Sequence, residues 1–386
     1  MRAKLGDIFE ISSGGTPSKS HPEYYGGDIP WVKTGDLKKE YLYEVEDFIT
    51  EEGLKNSSAK MYESDTVLIA MYGATIGATS ILKMNACTNQ ACAAFKKNEQ
   101  VIPEYLYYFL RSQKDKFVKD GVGGAQPNIS AGYLKKVEME LPSIDEQRII
   151  VNILDKISNI IVNRNQEMIS LDDLIKARFV EMFGDMFLNT MGWQEESLES
   201  LADIVSGITK GRKIKEKKLI EVPYMAVSNV KNGYIDWTTV KTIEATEQEI
   251  NQYRLLPDDV LMTEGGDPDK LGRGAIIREP LENCIHQNHI FRVRLNESIV
   301  LPDFFEEYLQ HQRAKRYFLG CAKQTTGIAS INMKQLSALP VLIPPLKLQQ
   351  QFSDFVRELN KSKDSVQKAL DEAQLLFDSL MQQYFG

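Results

Sequence analysis

Two long stretches without Pro or internal Gly dominate this sequence, at 145–184 and 346–386. In the first, apolar residues recur at alternating steps of four and three, which is a heptad pattern and predicts one long helix packed against a partner helix. At ~1.5 Å per residue, ~40 residues would span roughly 60 Å, whereas an average helix has ~11–12 residues. An ordinary core helix is the alternative interpretation. The heptad positions are Ile150, Leu154, Ile157, Ile161, Met168, Leu171, Ile175 and Met182.

The predicted partner helix lies in the same chain. Adding 202 to the numbers of the first stretch reproduces its pattern near the C-terminus, where Pro142 maps to Pro344 and Ile150 to Phe352. Polar residues interrupt both seams, at Arg164 and Arg178 in the first and at Lys363 in the second; such residues cost stability but fix the register. Because a large segment separates the two helices, we expect them to pack antiparallel.

The segments before the two helices, 1–144 and 193–345, also repeat each other. The run IPWVKTGDL (29–37) corresponds to VPYMAVSNV (222–230), and CTNQACAAFK (87–96) corresponds to CIHQNHIFRV (284–293) at an offset of 197. Strand-like runs alternate with turn residues, and a helix is predicted over 103–117. The fold class predicted is therefore α+β, with two pseudo-repeated mixed α/β domains separated by two long helices (145–184 and 346–386) that form an antiparallel coiled coil.

Composition narrows the class of protein. The 386 residues are 42% hydrophobic and 26% charged, as in ordinary globular chains of two or three domains. The four cysteines form no CxxC pair and there are only four histidines, so we expect small buried thiols and no metal site. No apolar run is long enough for a membrane span or signal sequence, which predicts a cytoplasmic protein without a membrane partner. The net charge of −8 disfavours purely electrostatic nucleic-acid binding but leaves a local basic surface open.

No catalytic motif stands out. The sequence has no GxGxxG after a strand, no GxSxG or HExxH, and no Asn/Asp-Pro-Pro-aromatic motif for adenine methylation; the run from Gly207 to Lys213 lacks Walker A spacing. The sequence predicts a chain without catalytic residues and without a cofactor of its own.

Polar loops are the candidate binding elements. Lys210, Arg212, Lys213, Lys215, Lys217 and Lys218 form a basic cluster suited to phosphates, or simply a solvated surface. Lys270 and Arg273 lie in a turn from which Arg273 could reach guanine, and His286, Gln287 and Asn288 could pair with adenine or stabilise turns. The candidates in the first domain are Thr16, Ser18, Lys19, Lys33, Thr34, Tyr72, Thr75, Asn89 and Gln90. For any one of them a structural role remains an equal alternative to base contact.

In the order of its motifs, the whole chain resembles the specificity (S) subunits of type I restriction–modification systems. The matching stretches are GGTPS (14–18), IPWVKTGDLK (29–38), YGATIG (72–77), CTNQAC (87–92), GAQPNIS (124–130), LPSIDEQRIIVNIL (141–154), EMFGD (181–185) and QQYFG (382–386). The second domain departs from the pattern: it has neither GGTPS nor YGATIG, and QTTGIASIN replaces GAQPNIS.

The resemblance implies a DNA-binding, non-catalytic subunit. Each domain would be a target-recognition domain for one half of an asymmetric two-part DNA sequence, and the helices would set the gap between the halves. Two modification subunits would dock on the helices, bind S-adenosylmethionine and methylate adenine N6; restriction subunits could join them. A protein–protein scaffold is the main alternative, and an autonomous DNA methyltransferase or nuclease is a further one that the missing motifs disfavour.

Overall fold

The computed structural model describes residues 1–122, 128–212, 218–266, 271–325 and 328–386, which divide into two units. Unit 1 comprises Met1–Asn165 and Lys368–Gly386, and unit 2 comprises Gln166–Gln367. Each of the two long helices therefore contributes one half to each unit.

Unit 1 is built on three sheets. Its strands are β1 (Arg2–Lys4), β2 (Ile11–Ser13), β3 (Tyr25–Val32), β4 (Tyr41–Leu42), β5 (Phe48–Ile49), β6 (Met61–Tyr62), β7 (Val67–Ala70), β8 (Thr79–Leu82), β9 (Ala86–Thr88), β10 (Cys92–Phe95) and β11 (Glu138–Glu140). The strand orders are β1-β11, β2-β10-β7-β8-β4 and β5-β3-β9-β6. Strands β7, β8 and β10 are buried along their whole length, which explains their continuous apolar or small residues.

The helices of unit 1 are α1 (Leu5–Ile8), α2 (Glu51–Lys55), α3 (Pro103–Ser112), α4 (Lys114–Asp120) and α5 (Ala131–Leu134), followed by the long α6 (Ile144–Phe183). Among them, α3 and α5 pack on strands of the larger sheet. The helix predicted over 103–117 is two helices that break at Gln113, so that prediction is wrong in its continuity. No Pro or Gly marks the break. Phe109 and Phe117, on either side of it, are both buried in the same core, so tertiary packing outweighs local helix propensity there.

Unit 2 repeats the sheet arrangement of unit 1. Its strands are β12 (Gln194–Ser197), β13 (Ala202–Ser206), β14 (Ile220–Met225), β15 (Lys241–Ala245), β16 (Asp259–Thr263), β17 (Gly265–Gly266), β18 (Gly274–Ile277), β19 (Ile285–His286), β20 (Ile290–Leu295), β21 (Lys323–Thr325), β22 (Ile328–Ser330) and β23 (Pro340–Ile343). The order β13-β20-β16-β18 matches β2-β10-β7-β8, and the parallel pair β14-β19 matches β3-β9. The internal repeat seen in the sequence is thus a repeat of topology.

The helices of unit 2 follow the same sequence of elements. They are α7 (Leu198–Leu201), α8 (Glu247–Tyr253), α9 (Pro302–Gln310), α10 (Gln312–Cys321), α11 (Met333–Ser337) and the long α12 (Leu346–Phe385). Both long helices have 40 residues and lie within one residue of the stretches expected from the heptads.

A buried glutamine anchors the start of each long helix. In unit 1, Gln147 accepts a hydrogen bond from Ile102 N (3.0 Å) and donates to the carbonyls of Gln100 (2.8 Å) and Pro142 (3.1 Å). The equivalent residue in unit 2 is Gln349, which is also fully buried and makes the same three bonds to the residues before α9 and α12. Each glutamine thereby satisfies three main-chain groups that would otherwise lack partners.

A cation also bridges two acids at the same place in each unit. Lys83 pairs with Asp65 (2.7 Å) and Glu104 (3.8 Å) in unit 1, and Arg278 pairs with Asp258 and the fully buried Asp303 in unit 2. The pKa of Lys83 is raised despite its partial burial, because Asp65 and Glu104 favour the charged ammonium. In unit 1 the ion pairs connect the turn before β7 with the first turn of α3. In unit 2 they connect the turn before β16 with the first turn of α9.

Aromatic side chains attach the long helices to each core. In unit 1, Phe385 of α12 packs against Tyr105 of α3 at 5.2 Å between ring centroids, and the Tyr108 hydroxyl donates to Asp155 of α6 at 2.7 Å. In unit 2, Phe183 of α6 lies 4.9 Å from Phe304 and 5.5 Å from Phe352 of α12. Halves of both long helices therefore pack together within each unit.

Candidate nucleic-acid interface

In unit 1, four loops meet at one edge of the larger sheet, where β7 ends and β10 begins. Main-chain hydrogen bonds join them: Ile129 N donates to Met71 O (3.0 Å), Met71 N to Ala91 O (2.8 Å), and Gly15 N to Thr88 O (2.9 Å). The loops after β2, β7, β9 and before α5 are therefore held in fixed positions by backbone contacts. Most of the residues predicted for unit 1 lie on these loops.

Unit 2 has the same loop junction with different side chains. Ile331 N donates to Glu264 O (2.9 Å), Glu264 N to His289 O (3.0 Å), and Ile208 N to His286 O (2.8 Å). We call these two loop edges interface 1 and interface 2. Their main-chain hydrogen bonds correspond one to one, so each interface is one backbone frame that carries its own set of side chains.

A glycine is required where two loops of each interface touch. A Cβ atom on Gly14 would lie 2.0 Å from Thr88 O, and one on Gly207 would lie 2.0 Å from His286 O. Neither contact can be relieved by a side-chain movement, because the obstructing atom belongs to the backbone. The Gly14 position of the GGTPS motif therefore has a counterpart in unit 2, although the rest of that motif is missing there.

The loop after β2 holds three of the predicted residues. The Trp31 indole N–H donates to Gly15 O (3.1 Å) and the Tyr25 hydroxyl donates to Pro17 O (2.5 Å), which fixes the loop from inside. Ser18 and its neighbour Lys19 are exposed, and the Ser18 hydroxyl shares a 2.7 Å hydrogen bond with the Ser20 hydroxyl. Lys19 is thus placed to reach a ligand.

The other loops of interface 1 hold a hydrogen-bonded pair and two turn residues. The Thr16 hydroxyl contacts the amide oxygen of the exposed Gln90, so these predicted residues do lie together. Tyr72 is 41% exposed, and Thr75 donates its hydroxyl proton to Tyr72 O at 3.1 Å. The Asn89 side chain accepts from Ala91 N at 3.1 Å. Thr75 and Asn89 therefore stabilise turns, whereas Gln90 and Tyr72 present free surface.

Lys33 and Thr34 follow β3 and belong to a neighbouring turn. The Lys33 ammonium forms an ion pair with Asp47, and its hydrogen bond to that carboxylate raises the pKa of Lys33. Thr34 begins a short 3-10 turn, Thr34–Asp36, and is partly exposed. The positive charge of Lys33 is thus already partly balanced within the unit.

The structure corrects the alignment of the two interfaces by one residue. Strand pairing sets Trp31 opposite Cys87 and Val32 opposite Thr88 in unit 1, and Tyr224 opposite Ile285 and Met225 opposite His286 in unit 2. His286 therefore corresponds to Thr88 at an offset of 198, not to Asn89 at 197. A one-residue shift in a strand moves a side chain to the opposite face.

His286 is consequently a core residue, and its prediction as a base contact is wrong. It is fully buried, with Nδ1 3.1 Å from Tyr253 O and Nε2 3.2 Å from Val205 O. Burial lowers the pKa of His286 to about 4, so the ring is neutral at physiological pH. The neighbouring Gln287 corresponds to Asn89. Its amide oxygen accepts a hydrogen bond from Val227 N at 3.4 Å, so Gln287 also stabilises a turn.

The basic cluster of unit 2 is only partly described. Lys210 and Lys218 are exposed. Arg212 is not free for a phosphate: its guanidinium donates twice to Glu249, at 2.5 and 2.7 Å, and once to Glu244 O. This pairing lowers the pKa of Glu249 to about 2. Arg212 thus holds its loop against α8, a correction to the predicted phosphate contact. Lys213, Lys215, Lys217 and Lys270 lie outside the described residues.

Interface 2 contains two polar residues that the sequence reasoning missed. Glu264 and His289 pair through Nδ1 and a carboxylate oxygen at 2.5 Å, beside the predicted Asn288. Arg273 is partly buried, and its Nε has no hydrogen-bond partner among the described residues. The signal for His289 was present in the run CIHQNHIF, but the offset of 197 aligned that run one residue out of register.

Comparison with known proteins identifies the family. The model of the type I restriction modification DNA specificity domain matches residues 1–171 and 191–374, one match in each repeat. The chain belongs to this family. The resemblance to S subunits is therefore confirmed, and the mixed α/β class with two repeated specificity domains is confirmed with it.

Individual relatives agree with the family assignment. The chain is 24% identical over 98% of its length, and 90% of the relative, to the type I restriction enzyme MjaIX specificity subunit of Methanocaldococcus jannaschii. It is 21% identical to the EcoKI specificity subunit of Escherichia coli, over 98% of this chain and 86% of that one. The crystal structure of an S subunit from M. genitalium superimposes with a TM-score of 0.58 at 17% identity, covering 100% of this chain and 96% of that chain.

Three further features of this specificity-domain protein bear on the sequence predictions. Among the described helices, none combines the length and apolarity that crossing a membrane requires. In the described part of the chain, no three His, Cys, Asp or Glu side chains are grouped so that they could hold a metal ion. Cys87, Cys92 and Cys284 are buried thiols, as predicted, and burial raises the pKa of each to about 12; the prediction is wrong for Cys321, which is only partly buried.

Proposed function

We propose that this chain is the sequence-specificity subunit of a type I restriction–modification complex and that its two interfaces read the two halves of an asymmetric DNA sequence. One observation carries the proposal. Each family match contains one loop edge on a common backbone frame, and the side chains on the two frames differ. Equal frames with unequal side chains are what two recognition modules for different half-sites require.

Exposed polar residues supply the chemistry for such readout. Five polar residues are exposed or partly exposed on loops that main-chain hydrogen bonds hold in place. They are Lys19, Gln90 and Tyr72 in interface 1, and Asn288 and Lys210 in interface 2. Amides and cations at the tips of rigid loops can reach base edges and phosphates in a major groove. The acidic total charge is compatible with this role if partner subunits share the phosphate contacts.

The long helices would form the antiparallel coiled coil and the spacer between the recognition domains. Within unit 2, Asp172 of α6 pairs with Lys363 of α12, whereas Phe183, eleven residues later on α6, contacts Phe352. Residue numbers therefore increase along α6 in the direction in which they decrease along α12, which supports an antiparallel arrangement. Lys363, a polar seam residue expected to fix the register, finds a partner in Asp172.

Apolar side chains on the outer faces of these helices suit the docking of partner subunits. We expect two adenine-N6 methyltransferase subunits, which would carry S-adenosylmethionine, and restriction subunits could join them; this chain itself would not be catalytic. One of the structural neighbours, with a TM-score of 0.61 at 15% identity, is described in terms of complex assembly of the type I R-M system. The exposed residues are Ile149, Ile160, Val162, Ile169, Leu174, Val180, Leu375 and Leu376.

A methylome tests the proposal. The chain is expressed together with the adenine methyltransferase of its own system, and N6-methyladenine is mapped by single-molecule sequencing. The expected result is a two-part motif with a fixed gap, methylated once on each strand. A folded complex that methylates without such a motif would instead favour the scaffold alternative.

The spacer role has a separate test. Deleting one heptad from α6 together with the equivalent seven residues of α12 keeps both seams in phase. We expect the gap of the methylated motif to shorten while both half-sites stay the same, because half-site separation follows protein geometry. Retention of the original gap in a folded variant would contradict the spacer role.

A further inference from the structure

Three polar side chains form a continuous chain in interface 2. The Glu264 carboxylate lies 2.5 Å from His289 Nδ1, and His289 Nε2 lies 3.5 Å from the Asn288 side-chain nitrogen. The His289 side chain is 55% exposed and that of Glu264 is 33% exposed, so the chain reaches the surface. The second contact is long for a hydrogen bond and is the weaker of the two.

Hydrogen-bond chemistry fixes the direction of this chain. A carboxylate only accepts, so Nδ1 of His289 must carry a proton toward Glu264. Nε2 faces the nitrogen of the Asn288 amide, which donates to it when the ring carries its proton on Nδ1 alone. The amide therefore turns its oxygen and its second N–H away from the histidine. Without such a partner the oxygen and nitrogen of an asparagine amide could exchange places.

The backbone beneath Asn288 is held as firmly as its side chain. Its N–H donates to Ile208 O at 3.0 Å, and its carbonyl accepts from the Ser206 hydroxyl at 2.7 Å. A polar group on a backbone fixed at both ends loses little conformational freedom when it binds a ligand.

Interface 1 lacks this arrangement at the equivalent positions. Met71 corresponds to Glu264 and Ala91 to His289, because Met71 N donates to Ala91 O as Glu264 N does to His289 O. Gln90, the counterpart of Asn288, contacts the hydroxyl of Thr16. A hydroxyl can donate or accept, so it does not dictate which way the amide points. The oriented amide belongs to interface 2 among the described residues.

We propose that Asn288 reads an adenine in the half-site bound by unit 2, with His289 and Glu264 as positioning residues. An amide oxygen and N–H that face away from His289 match the N6 donor and N7 acceptor that adenine shows in the major groove, the bidentate pairing typical of asparagine. This inference rests on the proposed function, since it names the base contacted by one of the two interfaces.

The first experiment maps methylation by the whole complex with wild-type chain and with Asn288→Ala. With the variant, one A·T position in one half-site, other than the methylated base, should lose its base specificity in the methylated motif. The other half-site and the gap should stay unchanged. A good bidentate contact is worth roughly five- to 150-fold in discrimination against the wrong base. Gln90→Ala is the matched control, and its effect should be confined to the opposite half-site.

A base analogue tests the contact directly. Replacing the adenine at the relaxed position by 7-deazaadenine removes the N7 acceptor, so wild-type binding should weaken and binding by Asn288→Ala should not weaken further. If Asn288→Ala fails to fold, Asn288→Asp serves in its place, because it keeps the size of the side chain and loses the N–H donor. Equal losses in wild type and variant would overturn the assignment.

The positioning role is tested by a conservative rescue. His289→Ala should relax the same A·T position as Asn288→Ala, whereas His289→Gln retains an acceptor for the amide and should restore most of the discrimination. Glu264→Gln should give partial relaxation, because an amide no longer dictates the tautomer of His289. Loss of base specificity at a different position, or in both half-sites, would contradict the positioning role of His289 and Glu264.

The two levels of inference fail in distinguishable ways. If the wild-type complex yields no two-part motif, the proposed function itself fails. If the wild type yields the motif and Asn288→Ala leaves every position unchanged, or relaxes a G·C position, only the adenine assignment fails.

Discussion

The buried glutamine at the start of α12 offers a sharp test of how the helices are joined to the domains. Gln349 is fully buried; its amide oxygen receives Leu301 N at 2.9 Å, and its amide nitrogen donates to Ile299 O (2.9 Å) and Pro344 O (2.8 Å). Gln349→Leu keeps a side chain of similar size but leaves one N–H and two carbonyls without these partners. We therefore expect this variant to be strongly destabilised.

The magnitude follows from the groups left behind. Each buried polar group that loses its partner costs about 1–3 kcal/mol, with the single N–H the most certain loss. The extra apolar surface of leucine returns about 1–2 kcal/mol. For the three groups the net expectation is a loss of about 1–8 kcal/mol, out of a typical domain stability of ~5–15 kcal/mol. For a unit of this size that corresponds to a fall in melting temperature of about 2–30 °C.

Thermal unfolding of the full chain, followed by calorimetry, measures this effect. Gln350→Leu is the matched control, because Gln350 is the next residue on the same helix, is exposed, and bonds only Asp354 among the described residues, at 3.0 Å. It should change stability by less than ~0.5 kcal/mol. Gln147→Leu should repeat the large effect in unit 1. Melting of Gln349→Leu within a degree of Gln350→Leu would refute the account of the anchor.

Three further predictions concern the interfaces and cores. Burial lowers the pKa of His286 from 6.5 to about 4, so the unfolded state binds more protons between these values; stability should fall as pH drops from 6.5 toward 4, and His286→Gln should flatten that slope in a pH series of melting curves. Gly207→Ala should destabilise unit 2 by about 1–3 kcal/mol in urea titrations, whereas Gly35→Ala, with open space around it, should not. In the native chain, iodoacetamide should label the partly exposed Cys321 before the three buried cysteines, as mass spectrometry of digests would show.

The long helices could be predicted from sequence because every local signal agrees there. A heptad pattern over 145–184, the absence of Pro, and a terminal Gly placed the helix within one residue of the observed Ile144–Phe183. The break between α3 and α4 was missed because nothing local marks it. It serves the packing of the core, which is a non-local requirement.

The candidate site was harder to predict because its side chains are assigned by distant partners. Arg212 forms an ion pair with Glu249, 37 residues later in the chain, and no sequence pattern near Arg212 predicts that pair. His286 was misassigned because the two repeats were aligned on cysteine and glutamine identities, whereas strand pairing sets the register one residue away. Loop motifs predicted residues that the structure brings together at the two loop edges, but they could not say which side chains face outward.

The repeat also shows how one backbone frame can carry two different sets of side chains. Gln147 and Gln349 bind equivalent main-chain groups in the two units, and a replacement at either position would leave those groups without these partners. Where the backbone supports itself, the side chain is free to differ. Met71 and Glu264 make the same main-chain hydrogen bonds although Met71 is buried in the core of unit 1 and the Glu264 side chain is partly exposed, so one backbone arrangement accommodates side chains in different surroundings. Redesign of a loop edge should therefore start from exposed positions whose own backbone bonds are complete, because a charge introduced at a buried position such as Met71 would lose its solvation.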